Sequence, residues 1–251
     1  MPLLHEGPDR KLRANVGLAI LLASVAGSVN ATGFLLLSGT TTAHMSGNAT
    51  LLGEALGTGQ YGVAAMAFRL IVAFVLGAAT TAVLLELTLG LTRARFVPTL
   101  MLEVLVLAGV AYAFATTEPP YPPLLGQALA FAMGMQNALV TQISGAVVRT
   151  THVTGVLTDL GLEFVHWLRY WRVHIGSRGA AGILPALRGL FSAAEFGRFW
   201  LHVSIAVSFT GGAAAGAWLL SHVGAGSLSL PCVILLGLLI HRLVRVRRLP
   251  G

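Results

Sequence analysis

Charge is what this chain has least of: Asp, Glu, Lys and Arg make up 10% of its residues, where a soluble domain carries roughly 25%. Such a chain cannot cover itself with polar groups in water, whereas lipid asks for none. With 55% hydrophobic residues and a mean hydropathy of +0.80, it reads as an integral membrane protein. Cysteine is almost missing too. Cys232 stands alone, which excludes an internal disulfide framework and a Cys-based zinc site. The basic start is not followed by a short apolar core with a small-residue cleavage site. The first apolar run, Asn15–Leu37, is about 23 residues long and reads as a retained helix rather than a signal peptide. There is no phosphate loop, nucleophile elbow, His-Glu-x-x-His or dinucleotide fingerprint, so nothing argues for an enzyme, a cofactor or a metal.

The apolar runs are predicted to span the bilayer at Asn15–Leu37, Leu70–Thr92, Phe96–Thr116, Leu124–Val147, Phe199–Leu220 and Leu228–Ile240. Gly27, Asn30 and Gly33 mark a place where the first span is expected to unwind. Met45–Leu56 is too short to cross and reads as a re-entrant or interfacial half-helix. Thr151–Trp171 mixes apolar and polar residues at helical spacing, as an amphipathic surface helix does. Pro119, Pro120, Pro122 and Pro123 are expected to form a stiff break, and Arg172–Arg198 to lie outside the hydrocarbon. Thr210–Ala217 offers a small-residue face for packing within the chain or in a homo-oligomer.

The net charge of +7 suggests nucleic acid until its placement is examined. Three basic residues precede the first span (Arg10, Lys11, Arg13), and two follow the second (Arg93, Arg95). Six lie between Arg149 and Arg198, and four in the tail from Arg242 to Arg248. The intervening connections carry none, with Arg69 alone at a helix end. This alternation is the positive-inside pattern and predicts both termini in the cytoplasm of a cell (inner) membrane. The basic residues then serve as topology signals and headgroup contacts, not as a nucleic-acid footprint.

Two polar, glycine-broken segments interrupt this apolar chain. Ala43-His44-Met45-Ser46-Gly47-Asn48-Ala49-Thr50-Leu51-Leu52-Gly53 returns as Thr151-His152-Val153-Thr154-Gly155-Val156-Leu157-Thr158-Asp159-Leu160-Gly161, displaced by 108 residues. Upstream, Gly27-Ser28-Val29-Asn30-Ala31 is matched by Gly134-Met135-Gln136-Asn137-Ala138. Downstream, Phe74-Val75-Leu76-Gly77-Ala78 is echoed by Phe209-Thr210-Gly211-Gly212-Ala213. The expected fold is an all-α membrane protein forming a single domain over residues 1–251. It has six transmembrane helices as 3+3 inverted repeats, about 15–116 and 122–246, with a cytoplasmic insertion at 172–198. Each repeat carries a short broken or re-entrant helix. An odd number of spans per repeat forces the second copy upside down, and irregular backbone survives in hydrocarbon only where protein or a water-filled cavity surrounds it.

The candidate substrate-binding residues are accordingly Asn30, His44, Ser46, Gly47, Asn48, Asn137, His152, Thr154, Gly155 and Asp159. His44 and His152 fit a gating or proton-sensitive pair, because imidazole titrates near neutrality; they equally fit rings bonded to broken helix ends. Ser46-Gly47 and Thr154-Gly155 are placed at helix N-termini, where free N–H groups and a partial positive charge point outward. Asn30 and Asn137 serve either a site or helix-to-helix adhesion. Asp159, Glu163 and His166 share a helix face, more in keeping with a wet surface than with a metal site. Glu86 and Glu103 read as a salt-bridged hairpin with Arg93 and Arg95, or as functional intramembrane acids. Arg69 reads as a snorkelling residue, with an anion-attracting role as the alternative.

Ser46–Gly53, Gly134–Asn137 and Arg149–Gly161 together resemble the YoaK family of small bacterial integral membrane proteins, defined by a domain of unknown function. The resemblance runs over nearly the whole chain and implies a multi-span inner-membrane protein without a settled substrate. Where family members often carry an acid in the first helix, this chain has Asn30, and Ser46 stands in place of the more usual Thr. The expected function is a transporter or channel-like permease for an unknown small solute, with the lipid bilayer as partner. The alternative is a non-transporting membrane scaffold or sensor, its Arg172–Arg198 segment binding a partner or anionic lipid.

Overall fold

A computed structural model describes residues 12–36, 39–88, 95–116, 122–144, 150–183 and 194–248. These residues form α1 (Leu12–Leu36), α2 (Met45–Gly57), α3 (Tyr61–Leu87), α4 (Val97–Thr116), α5 (Pro122–Ser144), α6 (Val153–Arg178), α7 (Ala194–Val223) and α8 (Ser229–Arg248). Short 3₁₀ turns cover Gly179–Gly182 and Gly224–Leu228, and no strand occurs among the described residues. Four stretches are long and apolar enough to cross a membrane: Val16–Leu36, Tyr61–Leu87, Val97–Thr116, and Gly197–Val244, which contains both α7 and α8.

Several expectations shift. The first helix does not unwind at Gly27 or Asn30 but runs unbroken to Leu36. The span expected from Leu70 begins at Tyr61, so Arg69 lies within α3 and not at its entrance. Of the expected proline break, Pro119 and Pro120 lie outside the described residues, and Pro122 and Pro123 open α5, where a missing N–H costs nothing. The amphipathic helix continues seven residues past Trp171, to Arg178; residues 184–193 of the expected insertion lie outside the described set. α5 is not among the four apolar stretches, because Gln127, Gln136, Asn137 and Gln142 lower its hydropathy. Its surroundings explain this: Leu129, Ala130, Met133, Leu139 and Ile143 are fully buried, so protein and not lipid covers it.

α1 and α5 are the two central helices. α7 lies along α1, and α3 lies along α5. Glycine sets both crossings. A Cβ on Gly27 would overlap the Phe209 carbonyl oxygen, and one on Gly212 would overlap that of Ser24. A Cβ on Gly134 would overlap the Phe74 carbonyl oxygen, and one on Gly77 that of Phe131. Backbone can approach this closely only where no side chain intervenes, and dispersion over the contact then holds the helices together. Ser24 faces Gly212 and Ser28 faces Gly216, so α1 and α7 run in the same direction. Phe131 faces Gly77, and the Thr81 hydroxyl donates to the Met135 carbonyl at 3.1 Å, so α5 and α3 also run in the same direction. Gln136 joins the two centres by donating to the Leu22 carbonyl at 2.6 Å.

The remaining contacts follow the same exchange. α2 packs on α3 as α6 packs on α7, α4 packs on α5 as α8 packs on α1, and α4 meets α8 directly. Large apolar side chains such as Phe68, Val75, Leu105 and Val233 remain exposed, as lipid-facing surfaces require.

Candidate functional site

Each broken segment is held against its central helix by the matching asparagine. Asn30 Oδ1 accepts the backbone N–H groups of Thr42 and Ala43, at 3.2 and 3.0 Å. Asn137 Oδ1 accepts the Thr151 hydroxyl at 2.8 Å. Each segment then turns directly into a helix. The Asn48 N–H donates to the His44 carbonyl at 3.2 Å, and the Val156 N–H to the His152 carbonyl at 3.0 Å. One turn on, Thr50 donates to the Ser46 carbonyl and Thr158 to the Thr154 carbonyl, each at 3.0 Å.

The expected cap positions move by two residues. α2 starts at Met45 and α6 at Val153, so His44 and His152 directly precede the helices, and Ser46 and Thr154 belong to the first turns. The His44 side chain makes no capping bond; its Nε2 shares a hydrogen bond with Ser46 Oγ at 2.9 Å. α2 closes with paired bonds, Gln60 N–H to Ala55 carbonyl and Gly59 N–H to Leu56 carbonyl, around Gly59 at φ 72°. This is the Schellman arrangement that a residue without Cβ accommodates.

Both segments open on one cavity of about 720 Å³. Its lining is paired: Asn30 with Asn137, His44 with His152, and Ser46 with Thr154. Phe74 of α3 and Phe209 of α7 form a second kind of wall, and among the described residues the lining includes no Asp, Glu, Lys or Arg. The first N–H groups of any helix lack acceptors within it, and here the first residues of both α2 and α6 line the cavity. The cavity can therefore offer amide, hydroxyl and imidazole groups and two positive helix ends to a small polar molecule.

The sequence-derived residues divide. Asn30, His44, Ser46, Asn137, His152, Thr154 and Gly155 line the cavity; Gly47, Asn48 and Asp159 do not. Asn48 is buried and donates to the Thr41 carbonyl at 2.9 Å, securing the loop before α2. Gly47 leaves room for the His44 ring, since a Cβ there would stand 2.9 Å from Nδ1. Asp159 and Glu163 turn toward α7. His202 Nδ1 lies 3.1 Å from Glu163 Oε2, and its Nε2 3.9 Å from Asp159 Oδ2. Among the described residues no three such side chains are grouped to hold a metal. Sequence reasoning missed Phe74, Phe209 and Thr141 in the lining. The signal for the two phenylalanines was present in the echo between residues 74–78 and 209–213.

Of the expected hairpin, Arg93 lies outside the described residues; Glu86 is exposed, and neither oxygen of the fully buried Glu103 meets a partner among the described residues.

A family model described as "Protein of unknown function (DUF1275)" matches residues 18–241. No curated protein and no solved structure matches the chain.

Proposed function

The chain belongs to the DUF1275 family of proteins of unknown function, and from its own geometry we propose that it is a carrier or channel-like permease for a small polar solute, not an enzyme. In this reading it crosses the inner membrane six times as two inverted repeats, α1–α4 and α5–α8, with both termini cytoplasmic. The narrower likeness to the YoaK group belongs to the same proposal.

The observation that carries the proposal is the convergence of two equivalent broken segments on one hydrogen-bonding cavity. Interrupted helices at equivalent places in two halves are how many transporters build a binding site. The helix directions support the inverted arrangement. If α1, α3, α4, α5, α7 and α8 cross in alternation, the first and fifth spans run the same way, as do the second and fourth. The same-direction registers of α1 with α7 and α3 with α5 agree with that count. Omitting α5 from the crossings would set α1 and α7 against each other. The scaffold or sensor reading draws on α6, whose Leu157, Phe164, Val165 and Leu168 are exposed beside exposed Arg169 and Arg172.

Flux into proteoliposomes, measured with labelled polyols, amides, amino acids and monocarboxylates, tests the reading. His44→Ala or His152→Ala should lower flux roughly tenfold, the effect of losing one hydrogen bond to a held solute, with little change in unfolding temperature. Parallel loss of flux and folding, or no flux of any solute, would favour the scaffold.

A further inference from the structure

Glu103 lies in the first half of α4 with 0% exposure, and neither carboxyl oxygen has a hydrogen-bond partner among the described residues. Thr99, one turn earlier on the same buried face, likewise holds its hydroxyl without a partner. The helices packed on α4 supply little charge. α8, which packs on α4, carries Cys232 and, farther along, His241. Arg242 of α8 and Arg95 cover the Phe96 ring, at 5.7 and 5.1 Å, about two turns before Glu103. α5 and the 3₁₀ turn Gly224–Leu228 contain no ionisable side chain. Arg69 and Glu86 of α3 are exposed, away from this interface.

An ionised carboxylate without donors is far more costly to bury than the neutral acid. Acids retained inside membrane proteins characteristically bind ions or pass protons. We propose that Glu103 is a proton-binding site, holding its proton while α4 and α8 are packed as here and releasing it to water when that contact opens. The inference rests on the carrier reading above, in which α4 and α8 are the equivalent last spans of the two halves, and movement of one half against the other reworks their contact. The acid O–H breaks, the carboxylate keeps the electron pair and water takes the proton; rebinding reverses this, one proton per cycle.

Infrared difference spectra of the full chain in bilayers, wild type minus Glu103→Gln, test the site directly. The expected result at neutral pH is a carboxylic-acid C=O band in the wild type that the variant lacks, fading as the pH is raised. Loss of carboxylate bands instead would overturn the proposal. Should the variant fail to fold, carbodiimide treatment of wild type followed by peptide mass analysis should find Glu103 modified at neutral pH, and an unmodified Glu103 would overturn it. Maleimide labelling of Cys232, the single cysteine, reports the opening. The ratio of labelling rates, wild type over Glu103→Gln, should rise as the band fades; a constant ratio would overturn the release step. The band is read without any solute. Its presence with no measurable flux would therefore sink the carrier reading and leave the proton site, whereas flux without the band would sink the proton site alone.

Discussion

The segments Ala43–Gly53 and Thr151–Gly161 share spacing, helix start and cavity, yet different side chains hold them. In the first, Asn30 takes two backbone N–H groups and Asn48 reaches back to the Thr41 carbonyl. In the second, Asn137 takes the Thr151 hydroxyl, and Val156, buried and apolar, occupies the place of Asn48. His44 is tied to Ser46 and fills the space beside Gly47, whereas a Cβ on Gly155 would meet nothing within 4 Å. α2 stops after 13 residues, whereas α6 runs for 26. Among the described residues the two segments share their backbone course but not the side chains that hold them. A helix crossing depends on small residues at fixed positions, whereas a hydrogen bond depends on a single side chain. Among those residues the first segment is pinned through its backbone, the second through a side chain.

The strongest test of the shared part is to replace the crossing glycines. Gly27→Ala and Gly134→Ala each force a Cβ onto a carbonyl oxygen of a neighbouring helix. The backbones must separate, at a cost of about 1–3 kcal/mol or more. Gly17→Ala and Gly109→Ala, where a Cβ meets nothing within 4 Å, are the controls; they should be neutral or stabilising by up to about 1 kcal/mol. Thermal unfolding in detergent should show the two crossing variants falling together. A large loss at one and none at the other would mean the halves are not built alike.

That scheme was legible because it rests on residue type at fixed spacing. Gly27 and Gly134, Phe74 and Phe209, and His44 and His152 could all be paired from sequence. Their purpose was harder to read: Gly27 and Gly33 suggested a weak helix, but they make room for Phe209 and Thr42. The start of α3 was hidden because Arg69 resembled a boundary, although a long cation can sit inside a helix and carry its charge outward. Burial was the least legible property. A helix apolar on every side, such as α4, gives no sign of which face turns inward, so nothing in the sequence separated buried Glu103 from exposed Glu86. The Gln136–Leu22 link between the central helices was missed because its acceptor is backbone, which carries no sequence signature.

The fastening itself is sharpened by Asn30→Ala and Asn137→Ala. Removing Asn30 leaves the Thr42 and Ala43 N–H groups without their acceptor at a non-helical turn. The expected loss is about 1–3 kcal/mol, the penalty for unsatisfied buried donors. Removing Asn137 frees a half-buried Thr151 hydroxyl that can rotate to another acceptor; the loss should be about 0.6 kcal/mol, typical of a polar contact between membrane helices. Chemical unfolding of each variant measures the difference. Equal losses would show that the second segment has backbone ties as strong as the first.

The smallest effect is expected one residue beyond Ser46 and Thr154, at Gly47→Ala and Gly155→Ala. Both sites are in first helical turns, where replacing Gly by Ala removes backbone freedom from the unfolded chain and gains about 0.5–1 kcal/mol when nothing obstructs it. Gly155 has that freedom, so its variant should unfold slightly later than wild type. At Gly47 the new methyl stands 2.9 Å from His44 Nδ1 and 3.3 Å from Cε1, so the ring must turn away from Ser46. Losing that hydrogen bond costs about 1 kcal/mol, which cancels the gain and leaves stability near wild type. The informative readout is then function. If the His44 ring serves the cavity, Gly47→Ala should depress flux without touching the imidazole itself. Wild-type flux in that variant would reduce His44 to a loop-closing residue and transfer the weight of recognition to His152 and the asparagines.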